Sequence, residues 1–309
     1  MHKLISVHRF FSFILVLGMS MALSHTSFAE KITPSKVYQV TEDILLQLKR
    51  MHDANLTIPN LSKVHLDLPP RLPRHVIQQA LNVRSKIQML KRVNGMKPVE
   101  LKAPPVKEVT PGDVMDVAKV ILEELVNFDK AYGLSPFKKS AKLVEGKSPT
   151  DVYANLLRAQ AMIVQLGIPG TVPNQVYNNA LSVSQEIKFI SAAVNKTVLV
   201  DAPSPSIGKK PADAYTLAFY ALKGIQTLSK KKEYSIPKGV IMPKRIKKGI
   251  KPGDVQQLLL FCLAELSSMK VAVGSKEELI LPKPAAGQTP STVFDQLGLV
   301  NRQIQSMQW

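Results

Sequence analysis

The chain has 309 residues, 45% of them hydrophobic, and 41 lysines and arginines against 23 acidic side chains give it a formal charge of +18. One cysteine, Cys262, excludes an intramolecular disulfide. The basic surplus favours anionic partners such as lipid headgroups, lipopolysaccharide, acidic polymers or acidic proteins, while no nucleic-acid motif is present and nucleic acid is not expected as a partner.

The first residues read as a signal peptide. Lys3 and Arg9 precede an apolar run from Phe10 to Leu23, and Ser27-Phe28-Ala29 offers small residues for cleavage after Ala29. The apolar run is shorter than the roughly 20 residues a spanning helix needs. No later stretch reads as a transmembrane segment, so the expected product is periplasmic or secreted. Removing residues 1–29 takes away two cations and leaves a formal charge of +16.

Eight prolines then open the same pattern: Pro34, Pro73, Pro111, Pro149, Pro173, Pro211, Pro252 and Pro290. Three residues after each stands a small apolar residue, and offsets of four, seven, eleven and fourteen from it are apolar again. The first segment reads Val37, Thr41, Ile44, Leu48, Met51; the third reads Val114, Ala118, Ile121, Leu125, Phe128. Thr41 is the one polar occupant. Steps of four and three put all five slots on one stripe of a helix, and proline at the first helical position sacrifices no intrahelical bond. Thr33, Thr110, Ser148 and Thr289 directly precede a proline and should cap the first turn. Asp113, Asp151, Asp213 and Asp254, two residues after theirs, read as partners of the positive helix end rather than as an acid motif.

The prolines are 39, 38, 38, 24, 38, 41 and 38 residues apart, which marks a tandem duplication of four units. The reading is all-α: two tandem four-helix modules of heptad-patterned helices, 30–170 and 171–309, joined by long Pro-rich extended connectors. The other architecture is one continuous eight-helix solenoid or layer. All remaining prolines fall between the stripes, so the connectors should be extended straps, some pairing as short strands, and not second helices. A 20-residue helix is about 30 Å long, a length that 16 to 18 extended residues can retrace at about 3.3 Å each. Parallel neighbours are therefore permitted, except that Gly167 to Val172 is short enough to force a reversal.

Chemistry is sparse. His52, His65 and His75 have no ligand spacing and read as solvated or capping residues; no metal or cofactor is implied. Cys262 occupies a stripe slot and reads as a core residue. Glu124, Glu186 and Glu265 each lie one residue before the fourth slot. They read as exposed boundary residues, the alternative being a cluster for a cation or for acid–base work. Tyr38, Tyr153, Tyr177 and Tyr215 follow the leading residue of their helices, with Phe294 equivalent, either packed in helix seams or lining a groove. Ala214, Ala218 and Ala221 either admit a neighbouring helix or line a small-molecule cavity.

The sixth connector carries Lys230, Lys231, Lys232, Lys244, Arg245, Lys247, Lys248 and Lys251, interleaved with Ile236, Val240, Ile241, Met242, Ile246 and Ile250. A basic strip with apolar punctuation suits an acidic protein or an anionic envelope surface or polymer. The functional expectation is a non-catalytic exported helical binding or scaffold protein. The alternatives are a periplasmic holdase-like chaperone, and an enzyme or small-molecule binder with its site in the helix bundle.

Overall fold

Each of the eight repeated prolines stands at the start of a helix. The helices are α1 (Pro34–Ala54), α2 (Pro73–Val93), α3 (Pro111–Val126), α4 (Pro149–Gln165), α5 (Pro173–Ala193), α6 (Pro211–Leu228), α7 (Pro252–Ala272) and α8 (Pro290–Ser306). This computed structural model describes residues 31–308 apart from Lys63, His65 and Asp67, so the signal peptide expected over residues 1–29 and the expectation for His65 lie outside the described residues.

The helix starts are fixed by side chains adjacent to the prolines. Thr110 Oγ1 accepts from Asp113 N at 3.3 Å, and the Asp113 carboxylate accepts from Thr110 N at 2.8 Å. Ser148 and Asp151 repeat this exchange at 3.4 and 2.8 Å. Asp213 and Asp254 accept from the backbone N–H groups of Lys210 and Lys251, both at 2.7 Å. Such reciprocal bonds satisfy donors that a helix start would otherwise leave open. Capping accounts for these aspartates.

All five stripe positions of every helix are buried, Thr41 included. The buried apolar residues fall into two clusters, one spanning Val37 to Ile168 and the other Val176 to Met307. In the first half α1 packs on α3 and α4, and α2 on the same two; in the second, α5 packs on α7 and α8, and α6 on the same two. Each half is thus a ring of four helices with successive helices set diagonally. One helix pair, α2 with α7, makes the extended contact between the halves.

Within each ring the helices run parallel. Pro34, Pro73, Pro111 and Pro149, with the valines three residues on, line one small apolar recess where four N-termini meet. In the second ring Lys209 N donates to Ser291 Oγ, Gln288 N to Asn174 Oδ1, and Thr171 Oγ1 to Gln256 Oε1, tying the starts of α6, α8, α5 and α7 in sequence. Between the rings the sense reverses: Arg74 near the start of α2 meets Glu265 late in α7, while Gln79 meets Gln257 near the start of α7.

Parallel neighbours require connectors that return along the bundle, and they do. The strap before α4 lies on α1, where Asp43 Oδ1 accepts from Ser140 N and Ala141 N, both at 3.0 Å. The strap before α6 lies on α8, through Arg302 to Asp201 O and Ser206 N to Asp295. Strand pairing of straps is not observed among the described residues; the one regular piece is the 3₁₀ turn Lys232–Tyr234. Proline removes ladder donors, and helix side chains take up strap backbone groups instead.

One expectation is corrected. By length and composition α7 is apolar enough to cross a membrane, although no stretch after residue 29 was expected to be. Its 18-residue apolar window is 83% buried, because α7 touches α5, α6 and α2 together. A helix enclosed on three sides becomes apolar nearly all round.

Candidate functional site

The polar residue one place before the fourth stripe slot is buried on every helix that carries one. Gln47, Lys86, Glu124, Glu186, Glu265 and Gln303 all lie inside, and Met162 fills the same place on α4. Glu124, Glu186 and Glu265 are therefore not exposed boundary residues. Each helix of a ring faces two neighbours, so a flank beside the central stripe is also covered. The three glutamates do not gather either. Glu124 on α3 takes Arg84 at 3.2 Å and Lys91 at 3.3 Å from α2, while Glu186 on α5 takes Lys270 of α7 at 2.7 Å. Burial holds the Glu186 carboxyl above its ordinary range, with Lys270 opposing that rise.

Glu265 is the centre of the seam between the rings. Its carboxylate accepts from Arg74 Nε at 2.8 Å, His75 Nε2 at 2.9 Å and Ile241 N at 3.0 Å. Arg74 also donates to Pro237 O and Gly239 O, binding the sixth connector into the same joint. His75 Nδ1 accepts from Leu72 N at 3.0 Å, which leaves the ring proton on Nε2 facing Glu265. Burial lowers the His75 pKa, so the ring is a neutral cap. Beside it, the buried Arg71 guanidinium lies over the rings of Phe261, 4.4 Å from the centroid, and Tyr153, at 5.1 Å. His52 is not solvated: it is buried, with Thr57 Oγ1 at 2.8 Å and Met162 O at 3.0 Å.

The tyrosines sit at helix seams. Tyr153 is buried and donates to Gln257 Oε1 at 2.7 Å; burial pushes its pKa up to about 12. Tyr215 is buried and accepts from Ile246 N at 2.9 Å. Tyr38 and Tyr177 are partly buried against the first and second core respectively. A repeated contact explains this placement. The residue two before a helix proline covers the aromatic of the adjacent helix, as Lys147 covers Tyr38, Lys209 covers Phe294 and Arg71 covers Tyr153. Sequence periodicity misses it because the partners lie in different repeats.

The sixth connector is divided by its own path. Lys230 to Lys232 follow the end of α6, where Lys231 Nζ donates to Gln308 O beyond α8. Lys244 to Lys251 lie at the other end, where Ile246 N meets Tyr215 and Lys251 precedes α7. The 18 residues of α6 separate these groups by about 27 Å. Most of the interleaved apolar residues point inward: Ile236 is buried, and Val240, Met242 and Ile250 pack on the second core, while Ile246 is exposed between Arg245 and Lys247. Lys244, Arg245, Lys247, Lys248 and Lys251 are exposed, with Arg245 5.3 Å from the Phe219 ring centroid. What the strap presents is mainly charge, with Ile246 among it.

Cys262 is buried, and burial pushes its thiol pKa far above the usual range. Ala214, Ala218 and Ala221 are buried in the second core. Close approach on α6 is plainest at Gly224, where an added Cβ would lie 2.7 Å from Ile304 Cγ2 of α8. Among the described residues no three His, Cys, Asp or Glu side chains gather as metal ligands would. No protein-family model matches this chain, and no curated protein or solved structure is detectably similar to it.

Proposed function

We propose that this chain is an exported helical binding or scaffold protein that engages an anionic partner through a basic surface. The observation that carries the reading is the orientation of the sixth connector. Ile236, Val240, Met242 and Ile250 are taken up by the second core, while Lys244, Arg245, Lys247, Lys248 and Lys251 are displayed where the positive ends of four parallel helices converge. Helix N-termini and cations add at such a place. Two of the nearest carboxylates, Asp213 and Asp254, are engaged as helix caps. A non-catalytic role is supported by the seams, where Glu124, Glu186 and Glu265 each hold a cation from another helix.

The test is salt-titrated binding of the mature chain to a soluble polyanion such as dextran sulfate. Replacing Lys244, Arg245, Lys247 and Lys248 together by glutamine should weaken binding at least about tenfold at low salt and flatten its salt dependence. Unchanged binding would remove this surface from the function.

A further inference from the structure

Lys209, Lys210, Lys247 and Lys248 share one end of the molecule with three aliphatic side chains that have almost no cover. The α1–α4 ring finishes at this end and the α5–α8 ring begins there, because only a short turn separates α4 from α5 and Lys86 Nζ late in α2 reaches Gln175 at the start of α5. Leu56 and Ile58, just past α1, are 95% and 94% exposed. Ile207, just before α6, is 94% exposed, its neighbours held to the first turns of α8 by Ser206 N to Asp295 and Lys209 N to Ser291.

Leu56 is the least expected of them. It adopts φ +53°, and at the equivalent places after α2, α5 and α7 the chain uses Gly95, Asn195 and Gly274. A bulky residue with positive φ is a conformational outlier, and a leucine this exposed gains no packing in return.

We infer that this end of the molecule docks on an anionic lipid bilayer, with Leu56, Ile58 and Ile207 entering the headgroup boundary and the exposed Lys210, Lys247 and Lys248 meeting lipid phosphates. The inference rests on the proposed anionic partner and names its class. A bilayer fits because the aliphatic and basic groups are spread over the ends of two bundles, which one extended surface can reach together. Exposed aliphatics beside lysines match an interface that is apolar below and negative at its rim. A wholly hydrophilic polyanion would leave Leu56 and Ile58 unused.

Flotation with phosphatidylcholine vesicles, with and without phosphatidylglycerol, tests the inference. Wild-type protein should bind only the anionic vesicles. The triple variant Leu56→Ser, Ile58→Ser, Ile207→Ser, at unchanged charge, should bind them at least about tenfold more weakly and bind dextran sulfate as the wild type does. Leu199→Ser, which alters an aliphatic 86% exposed just after α5 at the opposite end, should change nothing. Equal vesicle binding by the triple variant and the wild type, or no wild-type binding to anionic vesicles, would overturn the lipid assignment. Retained dextran sulfate binding in that event leaves the anionic-partner reading standing; loss of both removes the two together. All three side chains are outside the cores, so circular dichroism melts should show the variant folded.

Discussion

Lys86 holds its ammonium against the Gln175 amide oxygen at 2.9 Å, fully buried in the seam between the rings. Desolvation lowers its pKa from 10.5 to about 8 in the folded chain. The unfolded state therefore binds more protons between those values, and stability rises as pH goes from 8 to 10.5. Lys86→Met should remove that rise and stabilise the protein at pH 7 by up to about 3 kcal/mol, the size of the shift expressed as energy. Denaturant melts of both proteins at pH 7 and pH 10 check this; a variant with the wild-type pH profile would contradict it. His75 works in the same direction, in a lower pH window. Its pKa is lowered by burial, so stability should fall as pH drops below 6.5 and the ring must take a second proton. The Lys86 place was not legible in the sequence: Gln, Lys, Glu, Met and Gly alternate there, and only the ring geometry reveals that the position is buried.

Helix identity and starts were legible because two signals coincide, a proline, which a helix accepts only in its first turn, and a five-slot stripe behind it. Seam chemistry was not, since each contact joins residues from different repeats. Two substitutions probe the seams. Glu265→Leu strands Arg74, His75 and the Ile241 N–H on α2 and the sixth connector. Removing one partner of such a buried set costs about 3–5 kcal/mol, so urea unfolding should show a loss of that size. On α6, Gly224→Ala gains about 1 kcal/mol of helix propensity but drives a methyl into Ile304, and overpacking costs about 1–3 kcal/mol. The net should be destabilising, and combination with Ile304→Ala should relieve the clash, seen as a double-mutant coupling. A stabilising Gly224→Ala would mean that α6 and α8 are not in this register.

At the level of the molecule, two parallel rings packed in opposite senses put one ring's helix starts beside the other's helix ends. Parallel order was foreseeable as permitted, from connector length alone, but connectors lack periodicity, and the inward turn of Ile236, Val240 and Met242 became visible only in three dimensions. The parallel sense is the central claim, since it requires full-length straps and gathers four positive helix ends at the basic surface. Spin labels in a Cys262→Ala background measure it directly. A label at Asp116, near the start of α3, is paired with one at Lys36, near the start of the adjacent α1, or with one at Asp53, near its end. The parallel arrangement predicts the shorter distance for Asp116 with Lys36 and one greater by roughly 12 Å for Asp116 with Asp53, since the pairs are offset along the axes by about 4.5 and 21 Å at an interaxial spacing of about 10 Å. The reverse order of distances would contradict the parallel ring.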